Sequence, residues 1–288
     1  MIPTEDVDVV ARQTAWSAEY LDVQRVQTQF RMQLVEGWQI PQGAKVLEIG
    51  CGQGDMTAAL AHAVGPTGHV TAVDIASPEY GAPVTLGQAA AHLKNAPLGE
   101  RIDFRFEFDV LDPATAFPAD SFDYVVLTHC SWYFESLNRL RQVFQHLRPW
   151  AGRLCYSEWD IEPQSMDQVA HMLAVLIQGQ VEAYKVGSIS NVRTPFSRTR
   201  LKQILQETGW NVTMETDIDS RELQDAGWEI DSCLRSSLPD AFALHLPVKH
   251  LELLSSQVDI LRQMAGRGNN RSLPSYSIVA ERASEPLP

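Results

Sequence analysis

The fold is decided by one continuous run, Lys45-Val46-Leu47-Glu48-Ile49-Gly50-Cys51-Gly52-Gln53-Gly54. Its first half is short and apolar, which is typical of a buried strand, and its second half places three glycines at alternate positions. Apolar residues then recur at helical spacing from Met56 to Ala63. Glycines allow a tight turn and the close approach of a ligand, and the start of a helix offers N–H groups without partners. The run therefore predicts a strand, a ligand-binding loop and a helix.

Strand and helix patterns continue to alternate on the C-terminal side of this run. Apolar segments predict further strands at residues 69–74, 101–110, 122–127 and 153–157, with helices between them. Near-continuous apolar strands in such an alternation are typical of a parallel sheet that helices cover on both faces. Two more strands are predicted near the C-terminus, at residues 210–216 and 276–280.

Helical patterns flank the alternating region on both sides. The N-terminal pattern predicts a helix over residues 16–34 with one apolar face, formed by Trp16, Tyr20, Val23, Val26, Phe30 and Leu34. After residue 160, Ser165-Met166-Asp167-Gln168 fits a capping box that opens a helix, and Ser197 is a predicted N-cap of the next one. Further helices are predicted at residues 222–234 and 249–264.

The composition limits the class of protein. The chain has 288 residues, and its 23 Lys and Arg against 36 Asp and Glu give a net charge of −13, which argues against nucleic acid as a partner. The four cysteines are scattered, as expected for reduced thiols in the cytoplasm. The N-terminus lacks a secretory pattern and no apolar run spans a bilayer, so we expect a soluble cytoplasmic protein without membrane partners. The oligomeric state stays undetermined.

An acidic residue ends the second predicted strand. Asp74 lies 20 residues after Gly54, the offset at which a carboxylate holds ribose hydroxyls in nucleotide-binding folds. A dinucleotide fingerprint starting at Gly50 requires Gly or Ala at position 55, where this chain has Asp55. A carboxylate there repels a pyrophosphate, so the pattern favours a neutral or cationic nucleoside. An NAD-dependent oxidoreductase is the alternative that Asp55 disfavours.

These segments resemble the motifs of the class I S-adenosylmethionine-dependent methyltransferases. Residues 46–54 resemble the first motif, residues 73–75 the second, whose acidic residue holds the ribose, and residues 108–110 the third, whose Asp caps the adenine amino group. Residues 119–126 and 147–154 resemble the segments that lead into the fourth and fifth strands, although Trp150-Ala151-Gly152 stands where the family usually has two adjacent glycines. The resemblance covers roughly residues 16–159.

The resemblance implies an α/β fold with a Rossmann-like, seven-stranded, mostly parallel sheet, helices on both faces and the last strand antiparallel between its neighbours. It implies one methyltransferase domain over residues 1–288, with an N-terminal helical cap (1–40), a cofactor-binding core (45–160) and helical cover segments (161–195 and 217–270). The implied cofactor is S-adenosyl-L-methionine. The residues expected to contact it are Glu48, Gly50, Cys51, Gly52, Gly54, Asp74, Ile75, Asp109, Val110, Thr128 and Tyr20.

The implied activity is methyl transfer to an O, N, S or C atom of an acceptor, which the acidic composition indicates is a small molecule. The alternative is a protein that binds the cofactor but catalyses a non-methylating reaction or has a regulatory role. His129 is the candidate general base, with cofactor binding or packing as its other roles. Trp132, Tyr133 and Trp16 are candidate substrate contacts, or ordinary packing residues.

Two further expectations concern groups near the site. Glu158 lies at the end of the fifth predicted strand, and we expect its carboxylate to be exposed rather than to reach the pocket. No His or carboxylate pattern has convincing metal-ligand spacing, so we expect no metal ion.

Overall fold

The computed structural model describes residues 2–15 and 17–284, and within these residues seven strands form one sheet in the order β3-β2-β1-β4-β5-β7-β6. The strands are β1 (Lys45–Ile49), β2 (His69–Val73), β3 (Ile102–Arg105), β4 (Phe122–Thr128), β5 (Ala151–Trp159), β6 (Trp210–Ile218) and β7 (Ser275–Arg282).

The centre of the sheet is parallel and buried. β1 lies between β2 and β4 and runs parallel to both, and four of its five residues are buried. β7 runs antiparallel between β5 and β6, which confirms the expected topology. In parallel strands the carboxyl ends meet at one edge of the sheet, so the loops after β1, β2 and β4 lie together.

Nine helices accompany the sheet within the described residues. They are α1 (Thr4–Thr14), α2 (Leu21–Trp38), α3 (Asp55–Val64), α4 (Leu86–Lys94), α5 (Leu137–Leu147), α6 (Val169–Glu182), α7 (Arg198–Glu207), α8 (Asp225–Ala243) and α9 (Val248–Ala265). α1 and α2 pack on α3, whereas α6, α8 and α9 pack on one another. These last three helices share an apolar cluster of their own, which we call the cover cluster and which includes Ile177, Ile230 and Leu254. None of the described helices is long and apolar enough to cross a bilayer.

Four predicted elements differ from those observed. The N-terminal helix α2 begins at Leu21, because a short 3₁₀ turn (Ala18–Tyr20) precedes it, and α1 was missed. The third strand ends at Arg105 rather than at residue 110: Glu107 has a φ of 53°, and the amides of Glu107 and Phe108 bond the carbonyls of Ala76 and Asp74. The alternating apolar residues after 105 therefore belong to a turn that returns to β2.

The other two differences concern the cover. The Ser165 side chain does not cap a helix. Instead Gln168 accepts from the amide of Gln164, and α6 begins only at Val169. The helix predicted over residues 222–234 is α8, which starts later and continues through Pro239. In contrast, Ser197 is the N-cap expected for α7, with its hydroxyl accepting from the amide of Arg200.

Candidate functional site

The glycine loop, residues 50–54, is held against the end of β2. Gly50, Gly52 and Gly54 all adopt positive φ values (74°, 51° and 90°), which favour glycine over residues with a side chain. The amides of Gly50 and Cys51 donate to the carbonyl of Val73, at 2.8 and 3.1 Å. The amide of Gly52 donates to Oδ2 of Asp74 at 2.9 Å. The loop and the acidic residue singled out in the sequence therefore meet directly.

The three glycines differ in what surrounds them. A Cβ on Gly50 would lie 2.7 Å from Cβ of Cys130, and one on Gly54 would lie 3.2 Å from the ring of Phe104. A Cβ on Gly52 would meet no atom of the protein within 4 Å. Gly50 and Gly54 are thus required by packing, whereas open space lies beside Gly52.

Further predicted residues lie along the same edge of the sheet. The other Asp74 oxygen accepts from the amide of Ala76 at 2.9 Å. Asp109 pairs with the guanidinium of Arg139, and its Oδ1 accepts from the amide of Leu111 at 2.9 Å.

Two predicted cofactor contacts flank these aspartates. Ile75 exposes 65% of its surface, whereas Val110 is buried.

Glu48 is a buried acid at the end of β1. Its Oε2 accepts from the hydroxyl of Thr57 at 2.6 Å. Burial raises the pKa of Glu48 to about 8, although the Thr57 hydrogen bond and the charge of Arg31 both lower it. Glu48 is therefore largely protonated at neutral pH, and a cation placed beside it would favour its ionised form.

His129 follows β4 and lies between two aromatic rings. Its ring stacks on Trp159 at a centroid distance of 4.3 Å and on Phe30 at 5.2 Å, and its Nε2 is 3.1 Å from the hydroxyl of Ser275. Burial, and then the charge of Arg31, hold the pKa of His129 well below its usual range. The imidazole is therefore neutral at pH 7, so one ring nitrogen can accept a hydrogen bond.

The turn after His129 carries two of the predicted substrate contacts, Trp132 and Tyr133. Trp132 is buried in the main core, which fits the packing role. Its Nε1 has no hydrogen-bonding partner among the described residues, which leaves a donor available at a site. Tyr133 exposes 42% of its surface. Thr128, at the end of β4, has a buried hydroxyl that likewise lacks a partner within the described chain.

The expectation for Glu158 was wrong. Its side chain is buried, and it accepts from the amide and hydroxyl of Ser131 at 3.0 and 2.6 Å and from its neighbour Trp159 N–H at 3.0 Å. Burial raises the pKa of Glu158 to about 7. The carboxylate thus fixes the turn that carries Trp132 and Tyr133 rather than facing solvent.

The N-terminal residues are placed only in part. Tyr20 exposes 45% of its surface in the 3₁₀ turn before α2. Trp16, a predicted substrate contact, lies outside the described residues. Among the described residues no group of three His, Cys, Asp or Glu is arranged to hold a metal ion, and the expectation of a metal-free site stays a prediction.

Three charged residues were missed in the sequence. Arg31 on α2 donates to Gln27 and lies 3.8 Å from Oδ2 of Asp55. Its charge also lowers the pKa of Asp225, which burial raises. Glu229 lies one turn beyond Asp225 on α8. In the sequence, Arg31 is marked only by its position next to Phe30, a residue of the apolar face of the predicted N-terminal helix. Nothing in the sequence of α8 indicated a role for Asp225 or Glu229.

Comparisons with known proteins agree with this architecture. Residues 22–215 match the family described as "Methyltransferase domain". The chain belongs to that family.

Individual relatives support this assignment. Methyltransferase phomM' of Diaporthe leptostromiformis is 31% identical over an alignment of 172 residues. The match covers 52% of this chain and 44% of the relative, which is less than half of the relative's length. A crystal structure of a cyclopropane-fatty-acyl-phospholipid synthase-like protein from Lactobacillus casei ATCC 334 aligns with a TM-score of 0.86 at 36% identity, over 97% of this chain and 100% of that one.

A third protein shares the fold at low identity. Geranyl diphosphate C-methyltransferase from Streptomyces coelicolor A3(2), crystallised with Mg2+, geranyl diphosphate and S-adenosyl-L-homocysteine, aligns with a TM-score of 0.50 at 14% identity, over 89% of this chain and 78% of that one.

The cofactor is S-adenosyl-L-methionine, and the residues present fit it. The space beside Gly52 lets a ligand lie against the main chain. Asp74 borders that space with a carboxylate that retains acceptor capacity, and buried Glu48 provides a carboxyl group suited to a positive charge.

The glycine loop yields a matched pair of variants. Gly50→Ala should lower the free energy of unfolding by about 2–4 kcal/mol, because a positive φ and a clash with Cys130 add together. Gly52→Ala should cost only about 1–2 kcal/mol, since it meets no protein atom. It should nonetheless weaken binding of S-adenosylhomocysteine at least about tenfold. Urea unfolding and calorimetry measure the two effects, and equal stability losses would contradict this view of the loop.

The ionisation of Glu48 should make the free energy of unfolding depend on pH. Its folded pKa of about 8 lies above its ordinary value of 4.5, so folding binds a proton between these values and stability falls as pH rises through that window. The expected slope approaches about 1.4 kcal/mol per pH unit. Between pH 7 and 8, above the pKa of Glu158, Glu48→Gln should flatten the fall measured by urea unfolding. Parallel curves for the two proteins would show that Glu48 is ionised when folded.

Proposed function

We propose that the chain transfers a methyl group from S-adenosylmethionine to a small-molecule acceptor by in-line displacement. The observation that carries the proposal is the open space beside Gly52, bordered by the carboxylate of Asp74. Membership of the methyltransferase family supports it.

The bound cofactor supplies an electrophilic methyl group on a sulfonium. We assign the binding of the cofactor to the loops at the carboxyl edge of the sheet and to Tyr20, in the 3₁₀ turn before α2. Asp74 accepts from the ribose hydroxyls, Asp109 from the adenine amino group, and Glu48 offers negative charge to the cationic part. The remaining proposed contacts are Gly50, Cys51, Gly52, Gly54, Ile75, Val110, Thr128 and Tyr20.

The protein's part in the reaction is to align a nucleophile with the methyl group and to exclude water. Helices α6, α8 and α9 pack on one another, and α6 contacts the sheet through His171, whose ring packs on Trp159 of β5. The turn that carries Tyr133 follows β4. Tyr133 contacts the acceptor in this proposal, with Trp132 behind it and Trp16 contributed by the N-terminal segment. His129 accepts a proton where the acceptor atom starts protonated, because its imidazole stays neutral.

Several observations favour a small acceptor over nucleic acid. The chain carries a net charge of −13, and the cover places Asp225 and Glu229 near Tyr133, where phosphates would be repelled.

The four cysteines are free, which supports a cytoplasmic location. We also propose that residues 1–288 form a single domain. In the chain, α8 and α9 come between β6 and β7, which are two strands of the same sheet.

Labelled methyl transfer tests the proposed function. With radiolabelled S-adenosylmethionine and a metabolite mixture, the protein should form a labelled small-molecule product. Asp74→Ala should weaken S-adenosylhomocysteine binding by about 1–3 kcal/mol, whereas Asp74→Asn, which keeps an acceptor oxygen, should lose less. Tight cofactor binding without any labelled product would favour a non-methylating or regulatory role instead.

His129 has two variants that separate chemistry from packing. If the imidazole accepts a proton, both His129→Phe and His129→Ala should lower turnover by about 10²–10⁴-fold. If the ring only stacks between Phe30 and Trp159, the phenylalanine variant should keep near-normal turnover while alanine does not. Turnover is measured at saturating cofactor, with S-adenosylhomocysteine affinity as the control.

A further inference from the structure

A cavity of about 250 Å³ lies in the cover, away from the glycine loop. It is formed by α6, the segment that follows it and the middle of α8. Hydroxyl, amide and charged groups line most of its wall, among them Gln178, Glu182, Lys185, Ser232, Ser236 and Asp240. A cavity of this size holds a small molecule or one end of a larger one.

Glu182 is the residue that points to a ligand. Its side chain exposes only 5% of its surface, and its Oε1 accepts from Nζ of Lys185 at 2.7 Å. Its Oε2 is buried without a hydrogen-bonding partner in the described part of the chain. A buried acceptor left unpaired is unfavourable, so a donor placed in the cavity would stabilise it.

The charges of the cavity favour a cation. Nζ of Lys185 also pairs with Oδ2 of Asp240 at 2.6 Å, so two carboxylates share one ammonium and leave one net negative charge. The hydroxyl of Ser236 donates to the carbonyl of Ser232 at 2.8 Å and keeps its own lone pairs for an N–H donor. An alkylammonium group supplies both the charge and the donors that this wall lacks.

A polar stripe on α8 joins the cavity to the reaction site. Asp225, Glu229, Ser232, Ser236 and Asp240 recur at steps of four, three, four and four, which place them on one face of the helix. The stripe spans roughly 22 Å at 1.5 Å per residue.

Contacts connect this stripe to the cavity and to the turn that carries Tyr133. Nε2 of Gln178, in the cavity wall, donates to Oε2 of Glu229 at 2.9 Å. Nearer the start of α8, burial of the Tyr133 hydroxyl, and then the charges of Glu229 and Asp225, raise the pKa of Tyr133. Glu229 therefore links the cavity wall to the turn that we assign to the acceptor.

We propose that this cavity binds a protonated amine at the end of the acceptor remote from the transferred methyl group. The assignment rests on the proposed function, since it makes the cavity part of the acceptor site. The acceptor is then a cation with its nucleophile and its amine at opposite ends.

The test titrates n-butylammonium into the 288-residue chain, with n-butanol and butyrate as neutral and anionic isosteres, and follows binding by NMR. n-Butylammonium should bind at least about tenfold more tightly than either isostere. It should also slow labelled methyl transfer to the metabolite mixture without changing the affinity for S-adenosylhomocysteine. Equal binding of the three probes would overturn the inference.

Variants locate the binding. Glu182→Gln should weaken n-butylammonium at least about tenfold, whereas Glu252→Gln, on the exposed face of α9, should leave it unchanged. Unchanged binding in the Glu182 variant would overturn the assignment to this cavity. If S-adenosylhomocysteine binds while n-butylammonium does not, the amine site is wrong and the proposed function stands. If S-adenosylhomocysteine fails to bind, the proposed function is wrong and the acceptor assignment falls with it.

Discussion

Three backbone donors tie the glycine loop to the end of β2, and the rest of the site depends on this contact. The amides of Gly50 and Cys51 share the carbonyl of Val73, and that of Gly52 reaches Asp74. The left-handed conformations of the loop make this approach possible. Because the loop turns back on β2, we assign its ligand-facing side to the main chain at Gly52, beside the carboxylate of Asp74. A cationic nucleoside suits that environment better than a pyrophosphate does.

The second half of the site is held by buried groups far apart in sequence. Glu158 fixes the start of the Tyr133 turn through Ser131, and His129 is clamped between Phe30 of α2 and Trp159 of β5. His129 also has a φ of 46°, which is uncommon for a residue with a side chain and is typical of functional turns. The N-terminal helix therefore contributes a ring to the edge of the sheet that we assign to the reaction.

Local patterns were enough to predict the sheet and the cofactor loop, because each parallel strand is an uninterrupted apolar segment followed by its own turn. Asp74 was found for the same reason, since its distance from Gly54 is fixed by one helix and one strand. The third strand was predicted too long because alternation continues past Arg105, while the hydrogen bonds that end the strand come from the loop after β2. Such a contact leaves no trace in the strand's own sequence.

The buried charged residues could not be predicted from the sequence for a similar reason. Glu158 was expected to be exposed because two of its donors, the amide and hydroxyl of Ser131, lie 27 residues away in the chain. Arg31 and Asp225 are far apart in the chain, yet the charge of Arg31 acts on Asp225. The stripe on α8 could be interpreted only once α6 was seen to pack beside it. The sequence therefore predicted the loop that we assign to the cofactor, but not the charges near the turn that we assign to the acceptor.

The central claim is that the loop and Asp74 form the cofactor site, and a crystal structure with S-adenosylhomocysteine tests it most directly. The account predicts that the ligand lies against the main chain at Gly52, with both ribose hydroxyls within hydrogen-bonding distance of the Asp74 carboxylate. A ligand bound elsewhere, or a ribose held without Asp74, would contradict it.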